Sequence, residues 1–569
     1  MLDTCPVGDG RSEKARPSPR GATSAVERPE GVHRRAARNG ALVRLVAAQF
    51  LGGAAEWAVI IALLVHAFER GGARATGLTS LASFSAPLIA GPLIAIASGR
   101  YPLQSIRRAG LLLCTFGSIA AGAAVLVELP ILVVVTCGVF ALSGLTVLAA
   151  TGSSLVPAAV HTPRELVIAN LWLGHSAALC VLIGPLFVSV MLALGGPTTA
   201  LIGCGVLSLS ALLLTAVGAG PPATDLTVRP VRDAAAAARA LIRRPGGVGL
   251  VGVSFARQIM LGALDVLIVV IAFQTIDLGG TGAALMNAAF GAGAVLSMFA
   301  TTLALRGTRL ALPILAGLGS AAGMCVLLAA TLTVAPTFVI LVSLGLSAAV
   351  VHTLSRMLLQ RSADPRSLGQ VFGFVALTDG IGLLVGSLLA QVVLAAWSIE
   401  AALVAVGATL AVIAVASLRS LWRADASADI PVVEMSLLRN TSIFGSLTPF
   451  ELEPLARAAI YIEVEAASVV IRQGDPGDCF YVVAAGAFDV EMSGKHIRTI
   501  ERGQGFGEVA LLADVTRTAT VTASRRGVLL SIDRVAFLIA LTGSDTSKQA
   551  AWGAIRAMVL EGSVGPSVS

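Results

Sequence analysis

Near the end of the chain, residues 505–521 read GFGEVALLADVTRTATV, which combines a glutamate, an arginine and several small residues. Gly505 and Gly507 precede a short apolar turn that begins at Glu508, and Arg517 follows that acid by nine residues. Small residues let backbone N–H groups approach a ligand closely, and a helix N-terminus attracts anions. Arginine suits bidentate contact with a phosphate. The segment therefore predicts a site that holds a phosphate group.

Glu508 narrows the choice of ligand. A carboxylate beside a phosphate is repelled unless it accepts a hydrogen bond, and a ribose 2′-hydroxyl is a suitable donor. A phosphate and a sugar hydroxyl held close together describe a cyclic nucleotide.

Short alternating runs with Gly, Pro and Asp turns surround this segment and predict a small antiparallel β structure, flanked by helices. We assign residues 436–561 to this domain, 421–435 to a linker before it and 562–569 to a tail.

The rest of the sequence is very apolar. Hydrophobic residues make up 56% and charged residues 13% of the 569 residues, and the mean hydropathy is +0.86. A soluble domain carries roughly 25% charged residues. The composition predicts a polytopic membrane protein. Twelve apolar runs are long enough to cross a bilayer: 41–68, 76–98, 109–128, 131–152, 166–194, 198–219, 248–273, 281–304, 310–334, 336–354, 368–395 and 400–419.

Arginines in the loops predict the orientation. Loops after even-numbered spans carry fourteen Arg, whereas loops after odd-numbered spans carry two, Arg70 and Arg74. The positive-inside rule then places both termini in the cytoplasm of a multi-pass plasma-membrane protein. This topology accounts for the net charge of +7 without nucleic-acid binding. Residues 1–40 are predicted as a disordered basic tail and 220–247 as a central cytoplasmic loop.

An internal repeat divides the spans into two six-helix halves, 41–219 and 248–420. The first span contains GAAEWAVIIAL, and the seventh contains GALDVLIVVIA. The two segments align Glu56 with Asp265. Parallel six-helix halves are one known transporter design.

Residues 41–420 resemble the major facilitator superfamily, especially its drug- and siderophore-exporter branch, through LVPAAVHTPRELVIANLW and the following GP. The resemblance implies alternating access, with a small-molecule substrate bound between the halves and exported. One departure is Gly99, which stands where the family often has an aspartate in the loop after span two.

Ionisable groups inside the spans are candidates for transport because a charge at the bilayer centre is costly. These are Glu56, Arg257, Asp265 and Asp379. One hypothesis is that Glu56 and Asp265 line the central cavity and that one of them exchanges a proton. The alternative is that these acids pair with Arg257 or lie at helix ends in water, an interpretation we favour for Asp379. The histidines have no metal-ligand spacing, so no metal is predicted.

The C-terminal segment resembles the cyclic-nucleotide-binding domain of catabolite activator protein and of protein kinase A regulatory subunits. The matching motifs are IFGSL, IRQGDPGDCFYVV, AGAFDV and FGEVALL with RTATV. The resemblance implies that Glu508 binds the ribose hydroxyl and Arg517 the cyclic phosphate. Thr518 would bind phosphate or purine, which is compatible with cAMP, our choice, or with cGMP. Backbone N–H groups around the phosphate would come from Gly507, Glu508, Val509, Ala510 and Thr518.

Together these features predict a polytopic α-helical membrane protein of twelve spans joined to a cytoplasmic α+β β-roll domain that binds a cyclic nucleotide. Its partners would be the lipid bilayer, the nucleotide and a small-molecule substrate that is a candidate for proton coupling. No enzyme signature is apparent. The predicted function is a regulated secondary transporter. Two alternatives are a transport-inactive, membrane-tethered nucleotide receptor and a nucleotide-gated channel.

Overall fold

The structure is a computed structural model. It describes residues 38–98, 100–160, 163–216, 246–304, 309–362, 368–427, 431–441, 443–445, 447, 449–513 and 515–542. Contacts divide the chain into two compact units, one helical and one mainly β, with the division at residues 429–430. Each unit is described by itself.

The helical unit consists of long apolar helices. Within the described residues, ten helices are long and apolar enough to cross a membrane, in agreement with the predicted class. Their bounds are α1 Gly40–Ser98, α2 Leu103–Leu126, α3 Ile131–Ala159, α4 Pro163–Ala216, α5 Gly247–Gln274, α6 Gly279–Ala304, α7 Ala311–Ala330, α8 Val334–Ser362, α9 Leu368–Ala396 and α10 Ile399–Ser427.

Two of these helices each contain two predicted spans. Helix α1 is 59 residues long and has non-helical backbone at Gly71 and Gly72. Helix α4 is 54 residues long and has the same feature at Gly195 and Gly196. A helix needs only about 20 residues to cross the hydrocarbon core. Each glycine pair therefore marks a reversal between two spans, although the total of twelve stays a prediction.

The two predicted halves contact each other near the end of the bundle that lies away from Gly40. The Ser387 hydroxyl of α9 donates to the Ser80 hydroxyl of α1 at 2.9 Å, and both side chains are buried. The rings of Phe68 and Phe273 stack there with centroids 4.5 Å apart. The structure is therefore closed between α1, α5 and α9 at this end.

Glycines set the spacing between α5 and α9. A Cβ atom at Gly262 would overlap the Leu383 carbonyl, and one at Gly386 would overlap the Ile259 carbonyl. Small residues at a helix interface permit this close backbone approach. The seam between α5 and α9 is thus closed by backbone contact, which fixes the positions of the polar side chains beside it.

The linker predicted at 421–435 stays a prediction as a domain boundary; within it, α10 continues to Ser427 and the next helix begins at Val432. Leu421, Ala424 and Asp425 are buried. Tertiary packing therefore keeps this polar segment helical beyond the apolar run that predicted the last span.

The C-terminal unit contains a β-roll. Two four-stranded antiparallel sheets have the orders β1-β8-β3-β6 and β2-β7-β4-β5. Its elements are α11 Val432–Asn440, α12 Pro449–Ala458, β1 Ile460–Val464, β2 Val469–Ile471, β3 Cys479–Ala485, β4 Ala487–Met492, β5 Lys495–Glu501, β6 Gly505–Phe506, α13 Glu508–Ala513, β7 Thr520–Ala523, β8 Gly527–Asp533 and α14 Arg534–Thr542.

Strand β3 separates two hydrophobic clusters. Phe480 and Val482 pack with the flanking helices, whereas Tyr481 and Val483 pack inside the roll. Successive side chains of a strand point to opposite faces, so a strand buried on both faces serves both cores. This strand also carries groups that hold the candidate site.

Several predictions fall on residues outside those described. They are most of the N-terminal tail, most of the central loop, Gly99, the C-terminal tail and the part of the predicted domain 436–561 that follows residue 542.

A pair of substitutions on α9 tests the glycine seam. Gly386→Ala should lower the melting temperature of the detergent-solubilised chain by several degrees, because its methyl group would overlap the Ile259 carbonyl. Gly373→Ala is the control, since open space surrounds that position and alanine favours a helix by about 1 kcal/mol. Equal melting temperatures for the two variants would contradict the proposed packing.

Candidate functional site

Backbone groups of neighbouring segments hold both the side chain and the backbone of Arg517. Its Nη1 donates to the Gly507 carbonyl at 3.0 Å, and its Nη2 donates to the Cys479 carbonyl at 2.7 Å. The Arg517 backbone pairs with the turn before β3, with its N–H donating to the Asp475 carbonyl at 2.8 Å and its carbonyl accepting from the Gly474 N–H at 2.8 Å. The guanidinium is therefore positioned by the fold.

Gly507 permits the approach of Arg517. Its φ is +93°, which L side chains rarely adopt, and a Cβ there would lie 2.6 Å from Arg517 Nη1. Gly477 lies against the same side chain, because its Cβ would be 2.7 Å from that of Ala510 and 3.3 Å from Arg517 Cζ. Glycine at these positions leaves space for the guanidinium.

Glu508 begins the short helix α13 and is 4% exposed. Its Oε2 atom is buried and has no hydrogen-bond partner within the described residues. A buried acceptor without a donor costs about 1–3 kcal/mol, more if it is charged. A ligand that donates a hydrogen bond would remove this cost.

Opposing effects act on the two charged groups. Burial raises the pKa of Glu508, and its own backbone N–H, Arg498 and Arg517 counteract that rise. Burial lowers the pKa of Arg517. Electrostatic interactions with Tyr481, Asp478, Glu508 and Asp475 raise that pKa and so counteract the effect of burial. Glu508 and Arg517 are thus close enough to interact electrostatically, although neither fully compensates the burial of the other. An added anion would stabilise the charged arginine.

A cavity of about 240 Å³ lies beside Arg517. Glu508 is not among the described residues that line it. The cavity therefore offers a ligand direct access to Arg517, while Glu508 lies at the adjoining helix start. The lining residues are Val469, Val470, Ile471, Arg472, Asp475, Pro476, Asp478, Cys479, Tyr481 and Arg517.

The other predicted binding residues differ in exposure. Val509 is half-buried, Ala510 is 3% exposed and Thr518 is exposed. The sequence analysis missed Tyr481, whose ring centroid lies 6.0 Å from Arg517 Cζ, and the Cys479 carbonyl. The alternation of FYVV on β3 could have indicated an inward Tyr481, but a backbone acceptor has no sequence signal.

In the helical unit, Glu56 and Asp265 are partly exposed on α1 and α5. These helices are the most enclosed in the described bundle, with 67% and 72% of their most apolar windows buried. No basic side chain in the described chain interacts electrostatically with either acid. Both acids thus lie within the bundle without a counter-charge from the residues that the structure describes.

Arg257 lies near Asp379 instead. The two interact electrostatically, and Gln258 donates a hydrogen bond to Asp379. Arg257 Nε and Asp379 Oδ1 are buried and have no hydrogen-bond partner among the described residues. Of the three acids that the sequence analysis considered as partners of Arg257, Asp379 is the one that interacts with it among the described residues, and Gln258 was missed.

The fold and the two sets of polar groups define a polytopic helical membrane protein that carries a β-roll domain. Residues 45–386 match the family described as Major Facilitator Superfamily, and residues 461–542 match the Cyclic nucleotide-binding domain. The first match covers more than half of the chain, which therefore belongs to the major facilitator superfamily. The two resemblances found in the sequence are confirmed at the level of the superfamily and of the nucleotide-binding domain.

Curated relatives are similar over about 100 residues. The cAMP-dependent protein kinase type II regulatory subunit of Drosophila melanogaster is 38% identical over 18% of this chain and 26% of its own length. The cGMP-dependent protein kinase of Toxoplasma gondii is 34% identical over 20% of this chain and 12% of its own length. The chain thus spans about a quarter or less of these two relatives.

Two solved structures share similarity with part of the chain. The regulatory domain of Toxoplasma gondii PKA with cAMP has 28% identity and a TM-score of 0.20 over 21% of this chain and 46% of that one. The sensor domain of the transcriptional regulator DNR from Pseudomonas aeruginosa has 20% identity and a TM-score of 0.22. The match covers 24% of this chain and 97% of that one.

Gly507→Ala should weaken cyclic-nucleotide binding to the full-length chain, tested with cAMP as the probe, by at least about tenfold, because the new methyl group would displace Arg517 Nη1. Gly494→Ala is a matched control, since its φ is +78° and nothing lies within 4 Å of its Cβ position. Calorimetry in detergent measures both affinities. If both variants weaken binding equally, backbone strain and not the arginine contact explains the effect.

Proposed function

We propose that this protein is a secondary transporter whose activity is regulated by cAMP bound to its C-terminal domain. The observation that carries the proposal is the pairing of Arg517, held toward a cavity, with Glu508, whose buried Oε2 lacks a donor. A cyclic phosphate supplies the anion for Arg517, and the ribose hydroxyl supplies the donor for Glu508. A ligand with only one of these groups would leave the other residue unsatisfied.

The nucleotide is proposed as cAMP, with cGMP as the alternative. Support comes from the identity of 38% to a cAMP-dependent kinase regulatory subunit, against 34% to a cGMP-dependent kinase. Thr518 is exposed and available to either ligand. Backbone N–H groups of Gly507, Glu508, Val509 and Ala510 at the start of α13 would surround the phosphate.

Transport is proposed to occur by alternating access between the two halves, with export of a small molecule from the cytoplasm. One of Glu56 and Asp265 is proposed to exchange a proton, because neither has a basic partner in the described bundle. A protonated carboxyl tolerates a dry state that a carboxylate does not. Arg257 and Asp379 form a second polar site on the seam between α5 and α9. Both termini are proposed to face the cytoplasm, where the nucleotide is available.

Glu508→Gln tests the nucleotide site and the effect of the buried charge. The variant should lose at least about tenfold in cAMP affinity, because a charged acceptor of a hydrogen bond contributes about 1.5–3 kcal/mol. Calorimetry on the full-length chain measures this loss. Glu491→Gln, an exposed acid on β4, should leave affinity unchanged, and unaltered binding by Glu508→Gln would overturn the assigned role.

The same variant should be more stable than the parent protein without ligand. Burial raises the pKa of Glu508 in the folded state, so the folded chain retains a proton that the unfolded chain releases, and stability falls as pH rises above about 4.3. Removing the carboxyl eliminates that loss. The difference in melting temperature between Glu508→Gln and the parent should therefore grow from pH 4 to pH 7, and a constant difference would contradict it.

The regulated transporter and the tethered receptor differ in whether nucleotide changes the membrane unit. Cysteines replacing Ser80 and Ser387, whose oxygens are 2.9 Å apart, should form a disulfide in the closed arrangement. A protease site inserted between the halves lets a denaturing gel detect that disulfide. The yield should change at least twofold with saturating cAMP in nanodiscs. No change, with cAMP bound, would favour the receptor.

A further inference from the structure

The last turns of α10 cap the beginning of α7. Asp425 is 3% exposed, and its two oxygens accept hydrogen bonds from consecutive amides. Oδ1 accepts from the Leu310 N–H at 3.1 Å, and Oδ2 accepts from the Ala311 N–H at 3.3 Å. A carboxylate at a helix N-terminus satisfies otherwise unpaired donors and interacts favourably with the helix dipole. The beginning of α7 is therefore fixed to α10.

The same segment also caps α5. The Ser420 hydroxyl accepts a hydrogen bond from the Gly249 N–H, in the first turn of α5, at 3.0 Å. Gly246 precedes that helix with a φ of +89°, and a Cβ there would overlap the Ala424 side chain. One helical segment, 420–425, thus holds the starts of α5 and α7, helices that are far from it in sequence.

This segment is also the membrane-side attachment of the nucleotide-binding domain. Helix α10 ends at Ser427, and α11 begins at Val432, so only residues 428–431 join the two units. Any force that travels along the chain from α11 toward the membrane unit reaches α10 first. Helix α5 in turn carries Arg257 and Asp265.

We infer that residues 420–425 are the coupling element through which bound nucleotide biases the membrane unit. The inference rests on the proposed function. Nucleotide binding changes the force that the C-terminal domain exerts on α10. That change shifts the equilibrium between states in which Asp425 and Ser420 do and do not accept hydrogen bonds from the first residues of α7 and α5. Helix α5 packs against α9 through backbone contact at Gly262 and Gly386. A shift of α5 is therefore passed to α9, which carries the Ser387 contact to Ser80 in the other half.

Asp425→Asn and Ser420→Ala test the two contacts separately in the full-length chain. Asparagine keeps the size of the side chain but removes the charge and one acceptor, and alanine removes the Ser420 acceptor. Arg423→Gln is the matched control, since this residue lies on the same turn and is exposed. All are made in the Ser80→Cys, Ser387→Cys background in nanodiscs, and chains that carry only one of the two introduced cysteines serve as blanks.

Three measurements are made on each variant: cAMP affinity by calorimetry, disulfide yield with and without cAMP, and hydrogen exchange of peptides that contain Leu310, Ala311 and Gly249. Asp425→Asn should bind cAMP within about twofold of the parent and lose the nucleotide-dependent change in yield. Exchange at Leu310 and Ala311 should rise by at least tenfold. Ser420→Ala should raise hydrogen exchange at Gly249 by at least tenfold. It should also reduce the nucleotide-dependent change in disulfide yield by at least half.

The possible outcomes separate the inference from the proposal beneath it. If the parent chain binds no cAMP, the proposed function fails, and the inference fails with it. If cAMP binds and changes the yield equally in the parent, Asp425→Asn and Ser420→Ala, the proposed regulation stands and the coupling role of 420–425 is overturned. Loss of the response in Arg423→Gln as well would also overturn it, because the effect would then not depend on the caps.

Discussion

The guanidinium of Arg517 is held by two carbonyl oxygens, and the nucleotide-binding domain depends on that arrangement. Carbonyls of Gly507 and Cys479 direct the side chain but supply no net negative charge. Burial therefore leaves a positive group that an anion stabilises. The turn before β3 and the left-handed Gly507 both serve to place this one group, because each contributes a backbone contact or the space for it.

The sequence predicts the chemistry of this site but not the way it is held. Glu508 and Arg517 could be assigned because their side chains carry the charge and the donors that a phosphate and a hydroxyl require. The contacts from Cys479, Asp475 and Gly507 are made by backbone atoms, which every residue possesses. Only a folded β3 and its preceding turn bring those atoms to the arginine, so no residue type indicates them in advance.

In the helical unit, hydrophobic periodicity and length predict where spans occur, since the bilayer core imposes both. They do not predict how α10 ends. Asp425 falls in the predicted linker and Ser420 just after the last predicted span, and the sequence does not show their partners, Leu310 and Gly249, because these lie more than a hundred residues away. The location of Arg257 beside Asp379 is equally a matter of tertiary structure, since it follows from the glycine seam between α5 and α9.

Both units bury charge without a complete partner, but the consequences differ. In the β-roll, a bound ligand that carries an anion and a hydroxyl would satisfy Arg517 and Glu508. Between membrane helices, a group such as Glu56 cannot keep one protonation state at equal cost in a wet and a dry arrangement. A nucleotide shifts the membrane equilibrium only by the ratio of its affinities for the two arrangements. Because that ratio must arise through contacts that differ between them, the helix caps at 420–425 matter more to regulation than the strength of phosphate binding itself.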